Sequence, residues 1–146
     1  MRKCIARGDK IYIKSFSGPT IECMADYIKP SQKYNPDLFI LQIGSNDLRA
    51  KKSAADIADD ITNLAKSVKT QINDVVVSSL IVRNDRYDEK RKQVNKFLYD
   101  KCVENNFFYI DNSNIFARKH LNGSGIHLNY AGTVQLANNI LNCINL

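Results

Sequence analysis

The stretch Leu38-Phe-Ile-Leu-Gln-Ile-Gly-Ser-Asn-Asp-Leu48 constrains the fold of this chain more than any other. An apolar run over residues 38–43 breaks at Gly44 into the small polar turn Ser45-Asn46-Asp47. A continuous apolar run bounded by turn residues fits a strand buried on both faces, as in a parallel sheet covered by helices. In such sheets ligands bind beyond the carboxyl ends of the strands, which is where Asn46 and Asp47 fall. An isolated Gly-x-Asn-Asp needs no more than an Asx-type turn to account for it. What adds to it is a second glycine-framed stretch far downstream, Gly125-Ile-His-Leu-Asn-Tyr-Ala-Gly132.

The flanking segments read as alternating strands and helices. Lys10-Ile-Tyr-Ile-Lys-Ser-Phe16 alternates apolar and polar residues and predicts a strand. Ser17-Gly18-Pro19 is a turn into a helix with proline at its first position, with Ile21, Met24, Ala25 and Ile28 on one face and Pro30 as its stop. Ser53 with Asp56 resembles a capping box, followed by the stripe Ile57, Ile61, Leu64, Val68 and Ile72. Residues 74–81 are a β-branched strand, and residues 83–88 a polar loop. The next helix spans about residues 87–105 and would bury Val94, Phe97, Leu98 and Cys102. A short strand over residues 107–110 ends at Asp111, and an irregular segment leads to Gly125. The last helix begins near Asn129, with Ala131, Val134, Ala137, Leu141 and Ile144 as its stripe. Strand-helix alternation of this kind predicts right-handed crossovers and one α/β domain over residues 1–146, with helices on both faces of a parallel sheet.

Composition narrows the class. A chain of 146 residues, 44% hydrophobic and 25% charged, is long enough for one substantial core. No apolar run approaches a membrane span, and the first residues lack a signal peptide's apolar centre, so an intracellular, cytoplasmic location is expected. Cys4, Cys23, Cys102 and Cys143 form no C-x-x-C pair, which argues against a zinc or redox motif. Cys23, Cys102 and Cys143 are expected as small core or boundary hydrophobes. The net charge of +6 gathers at Arg2, Lys3, Arg7, Lys10 and Lys14, while residues 121–146 carry no Lys, Arg, Asp or Glu. Such a charge serves solubility, with weak nucleic-acid binding through the basic end as a lesser expectation.

Phe16-Ser17-Gly18, Gly44-Ser-Asn-Asp47 and Gly125-Ile-His-Leu-Asn-Tyr-Ala-Gly132 together resemble the sequence blocks of the SGNH (GDSL-type) hydrolase superfamily, a three-layer, flavodoxin-like α/β fold of esterases and acyl hydrolases. The blocks look nearest to SGNH-like domains of retroelement-derived reading frames. The resemblance implies that the Gly18 amide and the Asn46 side chain are oxyanion donors and that His127 is the general base. It implies a small ester or acyl substrate and no metal or organic cofactor. The chemistry of the residues agrees. Acyl transfer needs donors aimed at the developing oxyanion, and histidine is the natural base near neutral pH. A lone histidine at this place could equally pack or cap the helix. His120, beside Arg118 and Lys119, is expected to be an exposed loop residue.

Two positions depart from the family pattern. The nucleophile block Gly-Asp-Ser has only Gly8-Asp9-Lys10 to match it, with lysine at the serine position and no room for the intervening helix. The first strand-helix unit therefore looks absent from this chain. The acid of D-x-x-H falls on Ser124, which cannot stabilise an imidazolium as a carboxylate does. If the strand over residues 10–16 paired directly with the one over 38–43, Ser15 or Ser17 would stand at a strand-turn-helix junction, the geometry that exposes a nucleophile. A serine at such a turn also serves simply as a helix cap. The expected function is thus an acyl-ester hydrolase domain with an incomplete catalytic set. A non-catalytic module, dimerising through the uncharged carboxyl-terminal region or a strand edge, is the alternative.

Overall fold

A computed structural model describes residues 11–144. Gly8-Asp9-Lys10, Cys4 and the start of the expected first strand lie outside the described residues. Three parallel strands, β1 (Leu38–Leu41), β2 (Asp74–Ser78) and β3 (Phe108–Ile110), form a sheet in the order β1-β2-β3. Leu38 stands opposite Asp74, and Val76 opposite Phe108. The helices are α1 (Ile21–Tyr27), α2 (Lys29–Gln32), α3 (Ala54–Lys69), α4 (Asp88–Glu104), α5 (Ala117–His120) and α6 (Tyr130–Ile144), with a 3-10 turn over Ser45–Arg49.

Alternate strand residues point to opposite sides of the sheet, and the packing follows that alternation. Leu41, Val75 and Val77 join α1, α3 and α4 in the larger core, built around Ile57, Ile61, Val94 and Leu98. Val76 and Ile110 face the other way, where Ile140 and Cys143 of α6 pack against them with the half-buried Leu38 and Ile40. The domain is therefore a three-layer α/β/α arrangement on a parallel sheet. The α3 stripe is buried as expected, and the Ser53 Oγ accepts the Asp56 amide at 3.0 Å. Among the described residues no helix is long and apolar enough to cross a membrane.

Several expectations are corrected. Residues 11–16 form no strand and pair with none among the described residues; Ile11 and Ile13 are 59% and 84% exposed. An alternating pattern supplies a strand's side chains, but the strand itself exists only where a neighbouring edge takes its main-chain groups. Two ring stacks hold the segment instead, Tyr12 on Tyr34 and Phe16 on Tyr27, with centroids 4.7 and 5.1 Å apart. Among the described residues, direct pairing with β1, the premise for Ser15 or Ser17 as nucleophile, is thus absent. Pro19 precedes α1 rather than opening it, since Thr20 is the N-cap, and Pro30 opens α2 rather than simply ending a helix. Cys23, Ala25 and Phe97 are exposed, because α1 and α4 present narrower apolar stripes than the spacing suggested. On α6, Ala131, Val134, Ala137 and Leu141 face outward, and only Ile144 of that stripe is buried.

Candidate active site

The loops that follow β1, β2 and β3 gather at one end of the sheet with the turn that leads into α1. Gly44 adopts φ +110, a left-handed backbone, and a Cβ there would lie 2.9 Å from Ile61 Cδ1. Only glycine lets the chain leave β1 this close to α3, and the 3-10 turn then presents Ser45, Asn46 and Asp47 in three directions.

Asn46 is exposed and donates from Nδ2 to the Pro19 carbonyl at 2.9 Å. That bond holds the Ser17-Gly18 turn against the loop after β1, so the two expected oxyanion donors sit on neighbouring loops. Gly18 itself is left-handed at φ +80, with open space where a Cβ would stand. Asp47 turns inward, 4% exposed, and both carboxylate oxygens accept the Ile21 amide, at 3.3 and 3.2 Å. It fastens the start of α1 to the turn after β1. Burial raises the Asp47 carboxyl above its ordinary value, outweighing the Ile21 amide that favours the charged form.

The sign of that shift gives a test. A carboxyl whose folded-state pKa is raised stabilises the fold most below its unfolded value, and that contribution is lost as pH rises through the folded value. Asparagine at position 47 could still accept from Ile21 but does not titrate. Asp47→Asn should therefore gain stability relative to wild type between pH 3 and pH 7, read by urea unfolding at both. A relative loss over that interval would show that the charged carboxylate is the stabilising form.

Sequence reasoning missed Arg83. Its guanidinium is buried at the rim of the site, donating through Nη1 to Ser45 Oγ at 3.0 Å and through Nη2 to Asp85 at 2.6 Å. That bond from Arg83 is the chief reason the Asp85 carboxyl lies below its ordinary value. The adjacent Asn84 amide donates to the Gly125 carbonyl at 2.7 Å, and Gly125, at φ +73, leaves only 3.2 Å between a would-be Cβ and Asn84 Cβ. Arg83 and Asn84 thus tie all three strand-end loops together. The signal available in advance was an Arg-x-Asp pair inside a short loop.

His127 is exposed, and among the described residues its imidazole makes no hydrogen bond or ion pair. Ser124, at the position of the family's acid, serves the main chain instead. Its Oγ accepts the amides of Ile126 and His127, at 3.3 and 3.1 Å, and donates to Asn122 Oδ1. Asp111 accepts the Ser113 amide at 2.9 Å and has no hydrogen bond to His127. Ser15 and Ser17 are exposed, and no hydrogen bond joins either to His127. The structure ties the Gly18-Pro19 turn to Asn46, and among the described residues the His127 ring has no hydrogen-bond partner.

His120 is not the exposed loop residue expected from its basic neighbours. It is 3% exposed, and Nδ1 accepts the Phe116 amide at 2.8 Å. Beneath the loops lies a buried amide network. Asn112 donates to Ser78 Oγ and the Ser79 carbonyl, and Asn139 of α6 donates to Asn112 and Asn114. It fixes the segment after β3 to β2 and α6.

The model of the GDSL-like Lipase/Acylhydrolase family matches residues 2–133. The chain belongs to that family. Solved structures share the fold of this GDSL-like domain. An acetylxylan esterase from Geobacillus stearothermophilus, Axe2, is 16% identical with a TM-score of 0.73, covering 89% of this chain and 69% of its own. Its H194A catalytic mutant gives a TM-score of 0.74 at 14% identity with the same coverage. LAE5, an alpha/beta hydrolase enzyme from the metagenome of Lake Arreo, Spain, is 15% identical with a TM-score of 0.70, covering 89% of this chain and 71% of its own. No curated protein sequence matches this domain significantly.

Proposed function

We propose that this GDSL-like domain is built as an acyl-ester hydrolase whose oxyanion side is assembled and whose nucleophile-base side is incomplete in this chain. The observation that carries the reading is the Asn46 Nδ2 bond to the Pro19 carbonyl, which sets the Asn46 amide beside the Gly18 turn. Donors so placed suit the oxygen that becomes negative when a hydroxyl adds to an ester carbonyl. In the complete reaction His127 would take that hydroxyl's proton and later give it to the leaving alkoxide. An imidazolium formed there needs a carboxylate behind it, and the neutral Ser124 Oγ is engaged with backbone amides. A small ester or acyl compound is the substrate class, with no metal or organic cofactor required. The finer likeness to domains of retroelement-derived reading frames rests on the motif blocks alone.

Incubation with p-nitrophenyl acetate and with a fluorophosphonate probe tests this. Turnover at the level of buffer and no label on Ser15 or Ser17 are expected. A labelled serine, together with turnover that disappears in His127→Ala, would show instead that the catalytic set is complete.

A further inference from the structure

The 3-10 turn after β1 sets a second functional group beside the Asn46 amide. In a 3-10 helix, side chains three residues apart eclipse one another. Asn46 and Arg49 therefore share one side of the turn over Ser45–Arg49, and both are exposed, whereas Asp47 and Leu48 are buried. One such turn rises about 6 Å, which puts the Arg49 guanidinium within a side chain's reach of any carbonyl group held by Asn46.

The cations around Arg49 already have structural work. Lys52 pairs with Asp60 and Arg91 with Asp88, each at 2.7 Å. Lys90 donates to the Leu48 and Ala50 carbonyls, at 3.1 and 3.0 Å, and so pins the main chain on either side of Arg49. Asp85 is the carboxylate close enough to be influenced by Arg49, but its oxygens already accept from the Arg83 guanidinium and the Tyr87 amide. Arg49 itself makes no hydrogen bond or ion pair among the described residues. A planar guanidinium fork on a fixed main chain, with its donors unused, suits two-pronged capture of an anionic oxygen group.

We infer that Arg49 makes this site selective for an ester or acyl compound that carries a carboxylate, with Asn46 on the carbonyl oxygen and Arg49 on the charged group. The spacing of the two side chains suits a carboxylate removed from the carbonyl by about the span of a succinyl group. A neutral ester offers Arg49 nothing to replace its water, so the charge discriminates between ligands of the same shape. The inference rests on the reading of Asn46 as a carbonyl-oxygen donor, and it names the substrate class that reading leaves open. Arg83 is not the selecting cation, because it is buried and held by Ser45 and Asp85.

Titration of the 15N-labelled chain with monomethyl succinate and with dimethyl succinate at low ionic strength tests it, following the Asn46 side-chain amide and the Arg49 Nε–H resonance. The charged half-ester should bind at least about fivefold more tightly than the neutral diester. Arg49→Gln should erase that difference, and Lys96→Gln, the same loss of charge at an exposed position of α4, should keep it. Asn46→Ala should weaken both esters. Equal affinity for the two esters, or a difference that survives Arg49→Gln or vanishes in Lys96→Gln, would overturn the inference and leave the Asn46 assignment standing. Acetate bound as tightly as the half-ester would overturn it too, since Arg49 would then hold any free anion without regard to the ester. So would resonances unmoved by either ester in the millimolar range. Half-ester binding that is lost in Arg49→Gln but indifferent to Asn46→Ala would instead overturn the reading of Asn46.

Discussion

Gly132→Ala should lower the melting temperature of this domain by roughly 6–12 °C, the equivalent of about 3 kcal/mol for a chain of this size. Helix propensity alone points the other way, since alanine is better than glycine inside a helix by about 1 kcal/mol. Close approach decides the sign. A Cβ on Gly132 would press into the His120 carbonyl oxygen, which is backbone and cannot rotate aside, and would stand 2.9 Å from Leu128 Cδ2. That carbonyl already accepts the Asn129 amide at 2.9 Å, and Asn129 is the residue that opens α6. The Asn129 Oδ1 accepts the Gly132 amide at 2.9 Å while its Nδ2 donates to the Lys119 carbonyl at 2.9 Å. Moving α6 away to admit a methyl group therefore strains the cap and the buried His120 together. Asn138→Ala, at an exposed position of the same helix, is the control and should be neutral or slightly stabilising. If Gly132→Ala melts at or above wild type, the contact between α5 and α6 is looser than these distances describe.

What could be read in advance, and what could not, divides along physical lines. The run over residues 38–43 and the stripe of α3 were legible because burial on a strand or helix is written in local periodicity. So was the turn at Gly44, where residues 45–47 follow an apolar run. Residues 11–16 have a strand's alternation, but pairing is a property of two edges, and the described structure gives them ring stacks in place of a ladder. His120 stands between Lys119 and Leu121, and its sequence neighbours predicted exposure; α6, packed against α5, buries it. On α6 the periodicity was real, yet the helix carries apolar residues on two sides. Nothing local says which side meets the sheet. The polar site was legible in proportion to its motif. Asn46 and Asp47 were singled out because they sit where a strand ends, whereas Arg83 lies in a loop whose composition reads as solvent-exposed. A buried charge can be recognised only when its partners are in place.

That makes Arg83 the sharpest test of how the site is held. Arg83→Ala should destabilise the domain by about 2–3 kcal/mol, below the cost usual for breaking a fully buried pair because Asp85 keeps partial access to water. The loss has three sources: Ser45 loses its donor, Asp85 its partner, and the packed stem its volume. Arg83→Met restores most of the stem and should recover part of the loss, separating packing from charge. The pH dependence distinguishes the ion pair further. A carboxyl whose folded-state pKa is depressed stabilises the fold above its unfolded value and loses that contribution as pH falls through the folded one. With Arg83 gone, Asp85 loses the principal cause of its depression, so the stability gap between wild type and variant should be full at pH 7 and narrow on acidification below about pH 4. The effect should also reach the histidine loop, because Asn84 holds the Gly125 carbonyl. A changed His127 ring resonance in the folded variant is expected, with the His120 resonance unmoved. A pH-independent gap would assign the loss to packing alone. An unmoved His127 would show that the loops after β2 and β3 are not coupled through this residue, and that the His127 ring is positioned by the Ser124 turn without help from Arg83.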